Sequence, residues 1–169
     1  NKVCISHYIS GKLRFTSNIS GSFATSNIEN VGTTGEPGQN SSLGLDVEDS
    51  HYISYYDATN GDLKIAKDST GAWVTTAIDS TGDVGMYSVL KVDSNDVVHI
   101  FSFDNTYKTL KYSTNLSGTF VTYTISDDYA SVGLYPSIEI DSNNVIHIAH
   151  HSDDDGTLLF LTLNPYTEL

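Results

Sequence analysis

Basic residues are scarce in this chain of 169 residues. Arg14 is its only arginine and lysine occurs seven times, against 21 Asp and Glu, for a formal net charge of −13. Such a field repels phosphate backbones, so nucleic acid is not an expected partner. The acidic excess fits a saline extracellular setting or bound cations and does not choose between them. Cys4 is the only cysteine, which excludes a disulfide within one chain and leaves the redox compartment open. No apolar run is long enough to span a bilayer, so membrane insertion is not expected. No segment sustains a helical period. The chain starts at Asn1 with neither an initiator Met nor a signal peptide, and a processed or excised piece of something longer is expected.

What is abundant is turn-forming and β-forming. Apolar residues make up 38% of the chain, tyrosine alone occurs 11 times, and Gly, Ser, Thr, Asn and Asp fill the spaces between them. Many short strands joined by tight turns follow from that mixture.

The organising feature is a repeat. Gly85-Met-Tyr-Ser-Val-Leu-Lys-Val-Asp-Ser-Asn-Asp-Val-Val-His-Ile is answered by Gly133-Leu-Tyr-Pro-Ser-Ile-Glu-Ile-Asp-Ser-Asn-Asn-Val-Ile-His-Ile, with a worn copy running from Gly38 to Ile53. Leu13, Leu63, Leu110 and Leu158 fall 50, 47 and 48 residues apart. Each period holds four short alternating segments, A to D. The clearest unit has B at 51–57, C at 62–66 and D at 73–78, returning through 79–87 to A at 88–93. The other units place A at 42–47 and 137–141, B at 3–8, 98–104 and 146–151, C at 12–15, 109–112 and 157–161, and D at 23–28 and 120–125. Four strands per 47–50 residues is the size of a propeller blade. The expected fold is an all-β propeller of about four blades, in units 1–40, 41–87, 88–135 and 136–169, with the first and last blades incomplete. Fourteen strands with unclosed edges point to a ring completed by other copies (a homo-oligomer) or by further sequence; a self-closed four-bladed ring is the third arrangement.

These phrases, with Tyr55-Tyr-Asp-Ala-Thr-Asn-Gly-Asp-Leu-Lys64, resemble the repeats of secreted prokaryotic β-propellers, sialidase-like or related four-stranded blade repeats. The turns from Gly71 to Trp73 and from Gly118 to Phe120 are similar to the Asp-box of sialidase-like propellers. The first unit departs most: Cys4 stands where His99 stands, and Ile9 where Asp104 stands. The resemblance implies a propeller fold and an extracellular or cell-surface location, and it names no reaction.

The D–A and B–C connections emerge at one end of the blades, and that end is where binding groups are expected. Tyr87 and Tyr135 occupy matching repeat positions there, near Asp57, Asp104 and Tyr107. Aromatic rings beside carboxylates suit sugars, which present an apolar face and hydroxyl edges. The competing reading wedges both tyrosines between blades. His99 and His147 recur by blade and read as scaffold. The non-recurring His150-His-Ser-Asp-Asp-Asp155 offers His150, Asp153 and Asp155 as metal ligands, but adjacent strand residues point to opposite faces and the acidic spacing is not that of a calcium loop. No cofactor is expected; if a cation is bound at all, calcium is the candidate. The sequons at Asn18, Asn40 and Asn115 permit glycosylation on export and also serve as turn residues.

No catalytic residues are assigned. A sialidase-like site needs several arginines to grip a carboxylate, no motif locates a carboxylate pair, and Cys4 has no recognisable histidine partner. The expected function is a non-catalytic extracellular module binding a glycan or a protein. The alternatives are an assembly protein of a surface layer and a fragment of a sialidase-like glycoside hydrolase or lyase.

Overall fold

Alternating apolar residues bounded by Asp-, Asn- and Gly-rich turns can bury one sheet face against the next, and the chain does this blade by blade. The computed structural model describes residues 2–31, 40–68, 72–125 and 132–167. Within them every regular element is a β-strand. The first sheet is β1 (Cys4–Ile9), β2 (Lys12–Ser17) and β3 (Ala24–Asn30). The second is β4 (Ser41–Leu45), β5 (His51–Asp57), β6 (Asp62–Asp68) and β7 (Trp73–Asp79), and the third is β8 (Val84–Val92), β9 (Val98–Asp104), β10 (Thr109–Thr114) and β11 (Val121–Ile125). The fourth is β12 (Val132–Ile140), β13 (Ile146–Ser152) and β14 (Leu158–Leu163). All are antiparallel meanders, as expected of propeller blades.

The core is a series of seams. Leu13 and Phe15 of the first blade pack with Ile53, Tyr55 and Ala66 of the second. Leu63 and Ile65 pack with Leu90, Val98 and Ile100 of the third. Leu110 and Tyr112 pack with Ile138, Ile146 and Ile148 of the fourth. The leucine that marks the sequence period is thus the residue each of the first three blades pushes into its successor. Each such burial contributes about 2 kcal/mol. Extensive packing joins each blade to the next in chain order, and among the described residues none of comparable extent joins the first to the fourth.

The A–B turns show why Asp recurs. Asp46, Asp93 and Asp141 each accept two backbone N–H bonds through Oδ1, from Glu48 and Ser50, Asn95 and Val97, and Asn143 and Val145. The other oxygen meets the B-strand residue six positions on: the Tyr52 hydroxyl donates to Asp46 at 3.2 Å, His99 Nε2 lies 3.2 Å from Asp93, and His147 Nε2 lies 3.4 Å from Asp141. The fourth turn residue takes positive φ in each case, at Asp49, Asp96 and Asn144. Seams are pinned from these turns too, since Val47 N–H donates to Asp96 and the Ser94 hydroxyl to Asn144, both at 2.9 Å. Turn and scaffold account for these residues. Two sequon asparagines also serve the fold: Asn18 and Asn115 accept the backbone N–H of Val3 and Val98.

One difference from the sequence reading matters for the site. The A strands of the third and fourth blades begin at Val84 and Val132, ahead of the expected 88 and 137. Tyr87 and Tyr135 therefore lie inside strands and not on connecting loops. The connection 31–40, between the first unit's D segment and the following A segment, falls almost wholly outside the described residues.

Candidate functional site

Two glycines set the position of the two tyrosines. Gly85 and Gly133 have φ of +100° and +102°, and a Cβ on either would stand 2.6 Å from Leu63 Cα or 2.8 Å from Leu110 Cα. The backbone can press on the preceding blade only because no side chain intervenes. Each strand then slips register twice against its neighbour, between Val84 and Met86 and between Met86 and Val89, with matching slips in β12. Bulges of this kind re-aim side chains. Tyr87 (φ 55°) and Tyr135 (φ 50°) are left in the left-handed region, at a cost of about 1–2 kcal/mol each.

The result is a cleft of about 350 Å3 between the third and fourth blades. Its floor is Met86, Phe103 and Leu134; its walls are Tyr87 and Tyr135, with ring centres 4.6 Å apart at 54°; its rim carries Asn105, Lys108 and Asp153. Tyr87 is half-buried and also approaches the Phe103 ring at 6.3 Å, whereas Tyr135 is exposed. Burial, then the neighbouring Tyr135 phenol and the Asp153 charge, push the Tyr87 phenol above its ordinary pKa, so it remains a hydrogen-bond donor at neutral pH.

Lys108 was not anticipated. It closes the β9–β10 turn at φ 59°, its Nζ sits 5.6 Å over the Phe103 ring and 2.5 Å from Asn105 Oδ1. Gly11, Gly61 and Gly156 hold that turn position in the other blades, also at positive φ, so a lysine there breaks the repeat. That break was the available signal. Asn105 is anchored in turn: its N–H donates to the Asp83 carbonyl at 2.8 Å and its Nδ2 to the Asp83 carboxylate at 2.7 Å, which also accepts from the Tyr56 hydroxyl at 2.6 Å.

The other anticipated residues are placed differently. Asp57 and Asp104 are buried and do not line the cleft. Asp57 caps its turn through Thr59 N–H and Asn60 Nδ2 and lies 3.6 Å from Lys64 Nζ. Asp104 accepts from the N–H groups of Thr106 and Tyr107 and lies 3.5 Å from Lys111 Nζ. Tyr107 is exposed at the tip of the same turn, outside the cleft lining. Of the metal candidates, His150 is buried, Asp153 stands on the cleft rim, and Asp155 accepts both the N–H and the hydroxyl of Thr157. Among the described residues no three His, Cys, Asp or Glu side chains gather closely enough to hold a metal ion. Cys4 does have a histidine partner, contrary to the expectation from sequence: its Sγ lies 3.3 Å from His51 Nε2 across the first seam. Burial, against the nearby Lys2 charge, pushes that thiol above its ordinary pKa, which makes it a poor nucleophile at neutral pH.

No protein family matches the chain, and no curated protein is recognisably similar to it in sequence. Solved structures are similar in fold. The Aleuria aurantia lectin in complex with alpha-methyl-L-fucoside superposes with a TM-score of 0.66 at 10% identity, over 99% of this chain and 54% of that one. The intramolecular trans-sialidase of Ruminococcus gnavus gives 0.61 at 11% identity, over 98% of this chain and 41% of that one. A sialidase of Streptococcus pneumoniae gives 0.59 at 17% identity, over 90% of this chain and 26% of that one. The chain thus spans from about a quarter to about half the length of these structures. At such identities the likeness carries the β-propeller fold and nothing finer.

Proposed function

We propose that the chain is a carbohydrate-binding β-propeller module, non-catalytic and extracellular, which takes a glycan in the cleft between its third and fourth blades. The observation that carries this reading is the Tyr87–Tyr135 pair over an apolar floor, with an amide, an ammonium and a carboxylate at the rim. A pyranose ring needs such a mixture: an aromatic face for its C–H side and fixed donors and acceptors for its hydroxyls. The likeness to a lectin solved with a fucoside supports the same class of ligand.

The non-catalytic part rests on what the cleft offers. Asp153 is its one carboxylate, while hydrolysis by the usual two-carboxylate route needs a facing pair. The only arginine, Arg14, lies in the first blade on β2. The test is a glycan array probed with the labelled chain, followed by calorimetry on the best-bound glycan. Binding that Tyr135→Ala weakens about tenfold or more is the expected result. An array without a hit, or binding indifferent to Tyr135→Ala, overturns the reading, and turnover of a bound glycan overturns its non-catalytic part.

A further inference from the structure

The seam between blades is built three times in this molecule, and its two halves lie uncovered at opposite ends. On the side facing the next blade, Leu13, Leu63 and Leu110 are at most 1% exposed, whereas their repeat equivalent Leu158 is 77% exposed. Phe15, Ile65 and Tyr112 are at most 7% exposed, whereas their equivalent Phe160 is 66% exposed. The side facing the preceding blade repeats the pattern. Ile53, Ile100 and Ile148 are fully buried, but Ile5 of the first blade is 45% exposed, with Val3 beside it at 41%. In the built seams the residues equivalent to Leu158 and Phe160 meet those equivalent to Ile5, as Leu110 and Tyr112 meet Ile148. The two open faces are therefore complementary halves of one interface that the chain already uses.

The two terminal blades differ in the sign of their net charge. The first blade, residues 2–31, carries Lys2, Lys12 and Arg14 against Glu29 alone, although the chain as a whole is acidic. The fourth blade, residues 132–167, carries five acidic residues and no lysine or arginine. Arg14 also holds the repeat position of Lys64, whose Nζ bonds across a seam to Glu29 of the preceding blade at 2.5 Å.

We infer that copies of this chain associate head to tail, the Leu158–Phe160 face of one copy's fourth blade receiving the Val3–Ile5 face of the next copy's first blade. This contact is heterologous, so it propagates until a ring closes. Association on the order of a micromolar dissociation constant follows. The inference does not rest on the glycan reading.

The test is light scattering on the whole 169-residue chain at a concentration on the order of 100 μM, with Ile5→Asp and Phe160→Asp as variants. Both side chains are exposed, so each variant keeps the strand signature by circular dichroism and the melting transition of the parent. The parent forms species of two or more copies. Each variant alone raises the dissociation constant about tenfold or more, because a carboxylate replaces an apolar contact. Mixing the two variants restores a one-to-one pair that grows no further, since one supplies the intact head and the other the intact tail. A parent that stays monomeric, variants that associate normally, or a mixture that does not pair each overturns the inference. One variant associating normally while the other does not would assign the contact to like faces instead.

Discussion

The ring centres of Tyr87 and Tyr135 stand 4.6 Å apart across the seam between two blades, from repeat positions 48 residues apart in the chain. A position that recurs in sequence has here become a pair in space. Adjacent blades bring their equivalent residues together wherever a strand bulges toward the seam, and the two glycine-dependent bulges do so at one end of the molecule. One ring is half-buried on Phe103 and the other is open to solvent. The sequence offered wedge and ligand platform as competing readings of these tyrosines. Tyr87 is half-buried, as a wedge would be, whereas Tyr135 is exposed, as the proposed glycan site requires.

That division predicts unequal mutants. Tyr135→Ala leaves stability within about 0.5 kcal/mol of the parent because the ring is exposed. Tyr87→Ala costs about 1–2 kcal/mol, since it removes an aromatic contact on the Met86–Phe103 cluster. Both weaken glycan binding on calorimetry, and Tyr135→Phe retains most of it because the ring face persists. Equal destabilisation by the two alanine variants in urea titrations would contradict the assignment of Tyr135 to the ligand side.

The glycines separate close approach from conformation. Gly85 and Gly118 both have positive φ, +100° and +90°, but only Gly85 has backbone where a Cβ would go, and Gly118 has nothing within 4 Å. Gly118→Ala therefore costs about 1 kcal/mol for the backbone alone, and Gly85→Ala about 3 kcal/mol, because the seam must also open. Urea midpoints at a common slope measure the difference. Two equal shifts would show that the seam yields freely at Leu63.

His99 gives the fold a pH dependence of known sign. Its ring is fully buried between the Tyr112 hydroxyl at 2.7 Å and Asp93 at 3.2 Å. Burial lowers its pKa, against the pull of Asp93. Asp93, although burial pushes it up, is held low overall by hydrogen bonds from Tyr166, Val97, His99 and Asn95, so it remains a carboxylate throughout the window. When the folded pKa lies below the unfolded one, the unfolded chain takes up the proton first. Stability is then complete above the unfolded histidine pKa of about 6.5 and falls as pH drops below it. His99→Gln lowers stability at pH 7.5 and flattens its decline toward pH 5. Parallel parent and variant curves from urea titrations across that range would remove His99 as the source.

How much of this was readable beforehand depended on whether a residue repeats. The fourteen strands of the described residues and their order followed from the recurrence of Leu13, Leu63, Leu110 and Leu158, the first three of which are buried in seams because each seam needs the same apolar residue. The bulges did not follow: alternation read from Ser88 and Ser137 onward starts the A strands late, since Gly85 and Gly133 look like loop residues until the neighbouring blade is in place. Asp57 and Asp104 looked available because a turn aspartate that caps its own turn has the same sequence signature as one that faces solvent. The Cys4–His51 contact joins non-equivalent positions of two blades, so no period could reveal it.

Lys108 is where function and fold can be pulled apart. A lysine at φ 59° in a position that three other blades give to glycine carries about 1–2 kcal/mol of backbone strain. It recovers part of that from the Phe103 ring, about 0.5–1 kcal/mol for such a contact. Lys108→Gly restores the repeat, so its melting temperature equals or exceeds that of the parent. The same change removes the only ammonium on the rim, and glycan affinity falls about threefold to tenfold. A stabilised variant with undiminished affinity would reduce Lys108 to an accident of the turn. One that loses affinity while gaining stability shows strain retained at a binding site, in a turn the rest of the molecule builds without it.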